Sequence, residues 1–149
     1  MIVLKGAEVS AAIKNQVTEA LAGLDGFVPK LAIVRVGERP DDMSYERGAT
    51  KKMENFGLRV QSYVYPAEIS DSEFKAEFAK INEDPDVTGI LLLRPLPKQI
   101  CEKDIEQMID PKKDLDGISP VNIAKVFAGD SRACSPFGAM GKNARRCEP

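Results

Sequence analysis

The chain has 149 residues, 43% of them hydrophobic, with 21 lysines and arginines against 23 acidic residues and no histidine. That length buries one sizeable core, and the near-balanced charge offers no single-sign field to hold nucleic acid or an anionic membrane. Without imidazole, Ser-His-Asp, Cys-His and histidine-metal chemistry are excluded, and acid–base work falls to Lys, Tyr, Asp or Glu.

Val9, Ile13, Val17, Leu21 and Leu24 recur at close to helical spacing and Gly26 follows as a stop, so the first element is an amphipathic helix. After Pro29, the run Leu31-Ala-Ile-Val-Arg-Val36 reads as a buried strand ending at Gly37. The loop Gly37-Glu-Arg-Pro-Asp-Asp42 holds two candidate N-cap aspartates for a second helix. That helix places Tyr45 in its first turn, carries Ala49, Met53 and Phe56 on the same face, and runs to Gly57. Leu58 to Tyr65 alternates in part as a strand closed by Pro66, and Ser70-Asp-Ser-Glu73 is a capping box opening a helix with Phe74, Phe78 and Ile81. Asp84-Pro-Asp86 makes a turn before Val87-Thr-Gly-Ile-Leu-Leu-Leu93, a continuous apolar run of the kind covered on both faces, which Arg94-Pro-Leu-Pro97 ends.

Strands alternating with helices imply βαβ units in a three-layer α/β fold, a mainly parallel sheet flanked by helices. Ligand sites then lie beyond the strands' carboxyl ends, in the loops after Val36 and Leu93. One domain is expected to about residue 136, with an irregular tail over 137–149 because apolar periodicity fades after Ala128. Cys101, Cys134 and Cys147 form no Cys-x-x-Cys pair and read as free thiols in a reducing compartment. With no membrane-length apolar run and no leader pattern, a soluble cytoplasmic protein is expected.

Four segments carry more than a fold. They are Val36-Gly37 leading to Ser44-Tyr45, Gly89-Ile-Leu with Pro95-Leu-Pro97, Lys113-Asp-Leu-Asp-Gly117 with Pro120 and Asn122, and Cys134-Ser-Pro136. In order and spacing they resemble the methylenetetrahydrofolate dehydrogenase/cyclohydrolase family over nearly the whole chain, to about Pro136. The resemblance implies that residues 1–136 are a folate-binding domain of one-carbon and purine metabolism. It further implies a homodimer, with NADP or NAD held by a separate C-terminal Rossmann domain. It assigns folate contact to Tyr45, Leu93, Pro95, Leu96, Pro97 and Asp116, with Tyr45 stacking on the ring system and Asp116 accepting from the pterin N–H donors. On the residues alone, Tyr45 reads first as a core aromatic and Asp116 as part of an Asp-Gly turn. Asp114 with Asp116 invites a calcium reading, but the full calcium-loop pattern is absent.

Two departures stand out. Family members commonly carry a lysine one helical turn after this tyrosine, where the chain has Ala49, and often a glutamine where it has Leu93. A hydrocarbon moves no proton, so the base-assisted opening of a methenyl-folate is expected to be weak. Lys52, at nearly the azimuth of Tyr45, is the candidate substitute base, against the plain reading of a solvated lysine. No Gly-rich dinucleotide turn is present, and Gly138-x-x-Gly-Lys142 follows no strand, so no nicotinamide cofactor and no metal are expected on this chain. The polar residues after Pro136 read as a truncated or frame-shifted ending. The other classes that remain open are a catalytically silent folate-binding or interaction module and a flavodoxin-like regulatory domain.

Overall fold

The computed structural model describes residues 6–130. Cys134-Ser-Pro136, Cys147, the Gly138 to Lys142 segment and the 137–149 tail lie outside the described residues. Eight elements follow in chain order: α1 Gly6–Ala22, β1 Lys30–Val36, α2 Pro40–Asn55, β2 Arg59–Tyr65, α3 Asp71–Glu83, β3 Val87–Leu92, α4 Glu102–Met108 and α5 Pro120–Phe127. The strands form one parallel sheet in the order β2-β1-β3.

The largely apolar runs of β1 and β3 follow from burial on both faces, since successive side chains alternate across the sheet. Ala32, Val34 and Val36 join Ile90 and Leu92 under Phe74, Phe78 and Ile105 of α3 and α4. Leu31 and Ile33 join Leu91 and Leu93 on the opposite face, packed by Ala49 and Met53 of α2. These are the expected three layers. Phe74 meets Tyr65 edge-on at 5.6 Å between ring centroids, and desolvation there is the main cause that pushes the Tyr65 phenol up to about 12.

The capping box at Ser70 and Glu73 forms as expected, each side chain meeting the other residue's backbone N–H. Other expectations need correction. The cap of α2 is Arg39, with Pro40 at the first helical position and Asp41 and Asp42 inside the first turn, because a proline that lacks an N–H fits best where the helix leaves that donor unused. Tyr45 consequently falls in the second turn. The amphipathic first helix forms, but it has no buried residue, and Val9 and Ile13 are 61% and 45% exposed. Periodicity specifies a helix without specifying what packs on it. The helices α4 and α5, too short to show a clear period, are absent from the sequence reading altogether.

The amino ends of the strands are tied by charge. Lys30 at the start of β1 lies 3.2 Å from Asp84 and 2.9 Å from Asp86, and Arg59 at the start of β2 grips Asp86 with bonds of 2.5 and 3.1 Å. Hydrogen bonds from Arg59, then Lys30, hold the Asp86 carboxyl at about 2, below its ordinary 3.8. A depressed folded-state pKa contributes stability above the unfolded value and loses it as pH falls through the folded value. Urea midpoints of wild type and Asp86→Asn are therefore expected to differ near neutrality and to converge as pH drops from about 4 to about 2. A difference unchanged across that window would show the cluster to be energetically idle.

Candidate functional site

The opposite, carboxyl end of the sheet is where chemistry collects. The segment Lys113-Asp-Leu-Asp-Gly117 lies along the outer edge of β3, with Ile90 N–H donating to the Lys113 carbonyl at 2.6 Å and Leu115 N–H to the Ile90 carbonyl at 3.3 Å. Each residue of the segment has a separate task. Lys113 Nζ donates to the Asn82 and Asp84 carbonyls, each at 2.7 Å, placing a cation at the end of α3. Asp114 is buried and accepts from Ile118 N–H, Ser119 N–H and Asn122 Nδ2 at 3.0, 2.9 and 2.9 Å, fastening the loop to the start of α5. Leu115 covers Gly89, where a Cβ would come within 2.9 Å of its side chain, so glycine is what allows the segment to approach β3. With its neighbours fastened, Asp116 is left for the site, and Gly117 turns the chain away at a φ of 68°.

Asp116 lines a cavity of about 440 Å³ with Arg39, Asp41, Asp42 and Tyr45 of the α2 end and with Leu91 to Arg94 at the end of β3. Tyr45 is 57% exposed there, which removes the core-aromatic reading. Its orientation is set by the next residue. Glu46 turns to the sheet and meets buried Arg35 at 2.7 Å, while Arg35 also donates to the Gly37 carbonyl. Desolvation pushes the Glu46 carboxyl up, but hydrogen bonds from Ser62 and Arg35 and the Arg35 charge outweigh it and hold the group below its usual value. Desolvation likewise raises the Asp116 carboxyl, opposed by the Arg94 guanidinium and assisted by the Asp114 charge.

Of the predicted site residues, Tyr45, Leu93 and Asp116 come together in this cavity. Pro95, Leu96 and Pro97 line an adjoining one of about 490 Å³ that also includes Arg39. Ala49 packs against the cluster containing Leu91 and Leu93, so the two departures meet in one apolar cluster, of which Leu93 lines the cavity. Lys52 is exposed in the last turn of α2 and is not among the cavity's lining residues. Its azimuth is right, but seven residues of helix carry it roughly 10 Å along the axis from Tyr45. Sequence reasoning passed over Arg39 and Arg94. The signal for Arg94 was available, as a lone cation inside Leu-Leu-Leu-Arg-Pro-Leu-Pro. No group of three or more carboxylate, cysteine or histidine ligands suited to a metal occurs among the described residues. No helix among them is long and apolar enough to cross a membrane.

Residues 4–116 match the family model described as tetrahydrofolate dehydrogenase/cyclohydrolase, catalytic domain. Similar curated proteins include the Bifunctional protein FolD of Clostridium kluyveri, 39% identical over 144 residues that make up 93% of this chain and 51% of that protein. Another is Bifunctional protein FolD 1 of Desulfitobacterium hafniense, 40% identical over 143 residues, again 93% and 51%. Among solved structures, the bifunctional enzyme FolD of Campylobacter jejuni aligns with a TM-score of 0.81 at 31% identity, covering 90% of this chain and 49% of that one. The Trypanosoma brucei methylenetetrahydrofolate dehydrogenase-cyclohydrolase, solved with NADP cofactor and inhibitor, aligns with a TM-score of 0.81 at 28% identity, covering 90% and 46%. The chain spans about half the length of the curated relatives it matches.

Proposed function

The chain belongs to the tetrahydrofolate dehydrogenase/cyclohydrolase family, and from that premise we propose that its cavity reads a reduced folate, as the substrate half of an enzyme interconverting methylene-, methenyl- and formyl-tetrahydrofolate. The observation that carries the reading is the meeting of Tyr45 and Asp116, from separate elements, across one cavity at the sheet's carboxyl end. Asp116 supplies carboxylate acceptors for adjacent N–H donors of a pterin, and Tyr45 supplies a flat exposed face for stacking. The adjoining Pro95-Leu-Pro97 cavity gives the rest of an elongated ligand an apolar track. The same reading puts the protein in the cytoplasm, in one-carbon and purine metabolism, as a homodimer.

A nicotinamide dinucleotide does not fit the described residues. Its pyrophosphate needs free N–H groups at a helix start, approached by a glycine-rich turn. Here α2 begins with Pro40, Asp41 and Asp42, α3 with Asp71 and Glu73 in its first turn, and α4 with Glu102 and Asp104. At α5, Ser119 caps Asn122 N–H while Asp114 takes the Ile118 and Ser119 donors. The starts of α3 and α5 are met by the chain's own acceptors and those of α2 and α4 carry acidic side chains that repel an anion, so hydride transfer calls for a cofactor held elsewhere.

Titration with a reduced folate analogue is expected to show saturable binding that Asp116→Ala weakens by about 1–3 kcal/mol, because the pterin donors are left without a partner. Affinity unchanged in that variant would remove the folate assignment. A second reading, a folate-binding module without chemistry, is favoured by the packing of Ala49 against the Leu91 and Leu93 cluster. Methenyl hydrolysis by the same protein separates the two.

A further inference from the structure

Asp116 borders two compartments, and Arg94 borders both of them with it. Beside the folate-reading cavity lies a second of about 320 Å³, walled by Ile123, Val126 and Phe127 of α5 and by Glu106 of α4. Arg94 Nη1 lies 3.1 Å from Oε1 of Glu102 and 3.1 Å from Oε1 of Glu106, so one nitrogen fastens the guanidinium to α4. Glu102 also accepts the Leu96 N–H at 3.1 Å, which fixes the chain on the far side of Arg94. A cation held in this way by two carboxylates of one helix, with a third carboxylate across the cavity, has little freedom to leave.

We propose that Arg94 is a positioning residue for ligand recognition: fastened to α4 by Glu102 and Glu106, it serves as the counter-ion that keeps Asp116 in its acceptor form. The proposal rests on the folate reading of the cavity. A protonated carboxyl turns one acceptor into a donor and mismatches a ligand that presents N–H groups, so the site works only with Asp116 ionised. Desolvation and the Asp114 charge both oppose ionisation, and Arg94 is the group that favours it. The other charges about Asp116 are Arg39, Asp41 and Asp42 across the first cavity and Glu106 across the second. With Arg94 removed, burial and the Asp114 charge lose the guanidinium that opposes them, and Glu102 and Glu106 are left without their cation.

The test follows the Asp116 carboxyl by NMR through an acid titration in wild type, Arg94→Leu, Arg94→Gln and Arg94→Lys, with analogue affinity measured on the same samples. In both neutral variants the Asp116 titration is expected to move upward, and Arg94→Lys to return it toward wild type. Affinity should fall several-fold at about pH 5 and recover by about pH 8, as a purely structural role would not produce. Either neutral variant suffices if the other fails to fold. An Asp116 titration unmoved in a folded neutral variant overturns the proposal, and so does an affinity loss equal at both pH values. A moved titration with no analogue binding in any protein keeps the counter-ion and removes the folate reading instead.

Discussion

Ala49→Lys combined with Leu93→Gln is expected to raise methenyl-tetrahydrofolate hydrolysis by ~10²–10⁴ over wild type, the usual range for a positioned general base. Ala49 packs on the apolar cluster that holds Leu91 and Leu93, and Leu91 and Leu93 line the cavity, so this side of the site is hydrocarbon. Two apolar residues in place of an amine and its partner leave no orphaned polar atom, which lets the wall fold well while being inert. A lysine placed there would be partly desolvated, which lowers its pKa toward the range of a useful base. Alone it lacks a hydrogen-bond partner and should gain less, while Leu93→Gln alone buries an amide and should gain nothing. The assay is loss of methenyl absorbance above the spontaneous rate in wild type, the single and double variants and Lys52→Ala. Strong wild-type hydrolysis that disappears with Lys52→Ala would establish Lys52 as the base and overturn the inert wall.

Asp114→Ala should be the most damaging single change in the loop, although Asp114 does not line the cavity. It strands the Ile118 and Ser119 N–H donors and one hydrogen of Asn122 Nδ2, whose other hydrogen keeps the Pro111 carbonyl, and unsatisfied buried donors cost roughly 1–3 kcal/mol each. Some of that cost is recovered by water entering the gap, so a net loss of about 3–5 kcal/mol is expected from urea denaturation. Analogue affinity should fall with it, because Asp116 loses the fastening two residues away. A loss below about 1 kcal/mol would mean that the carboxylate is dispensable and that α5 holds itself in place.

How far this was legible in the residues differs from element to element. β1 and β3 are plain because burial on both faces leaves them largely apolar, and α3 is plain because Ser70 and Glu73 announce its start. α4 and α5 are not, because seven and eight residues are too few for a period to emerge and their positions are set by Arg94, Asp114 and Asn82 from elsewhere in the chain. In the site, the resemblance pointed to Tyr45 and Asp116, and the structure brings them into one cavity. Lys52 shares the azimuth of Tyr45 but lies outside the cavity's lining, because a helical azimuth carries no information about axial height. The division of labour within Lys113 to Gly117 was hidden because Asp114 and Asp116 are chemically identical and differ only in which neighbours surround them.

The Asp116 loop lies on the edge of β3 through two backbone hydrogen bonds, those of Ile90 N–H and Leu115 N–H. With the side-chain bonds of Lys113 and Asp114 these form a local fastening, which is expected to open at a free energy below that of global unfolding. Any ligand that reads Asp116 binds only the closed fraction, and its apparent dissociation constant is the intrinsic one divided by that fraction. Residues outside the cavity's lining, such as Lys113 at the end of α3 and Gly89 beneath Leu115, therefore enter the affinity through the closing equilibrium. Amide exchange at Leu115 measures that equilibrium directly, and it should slow on binding by the factor with which ligand fills the closed state.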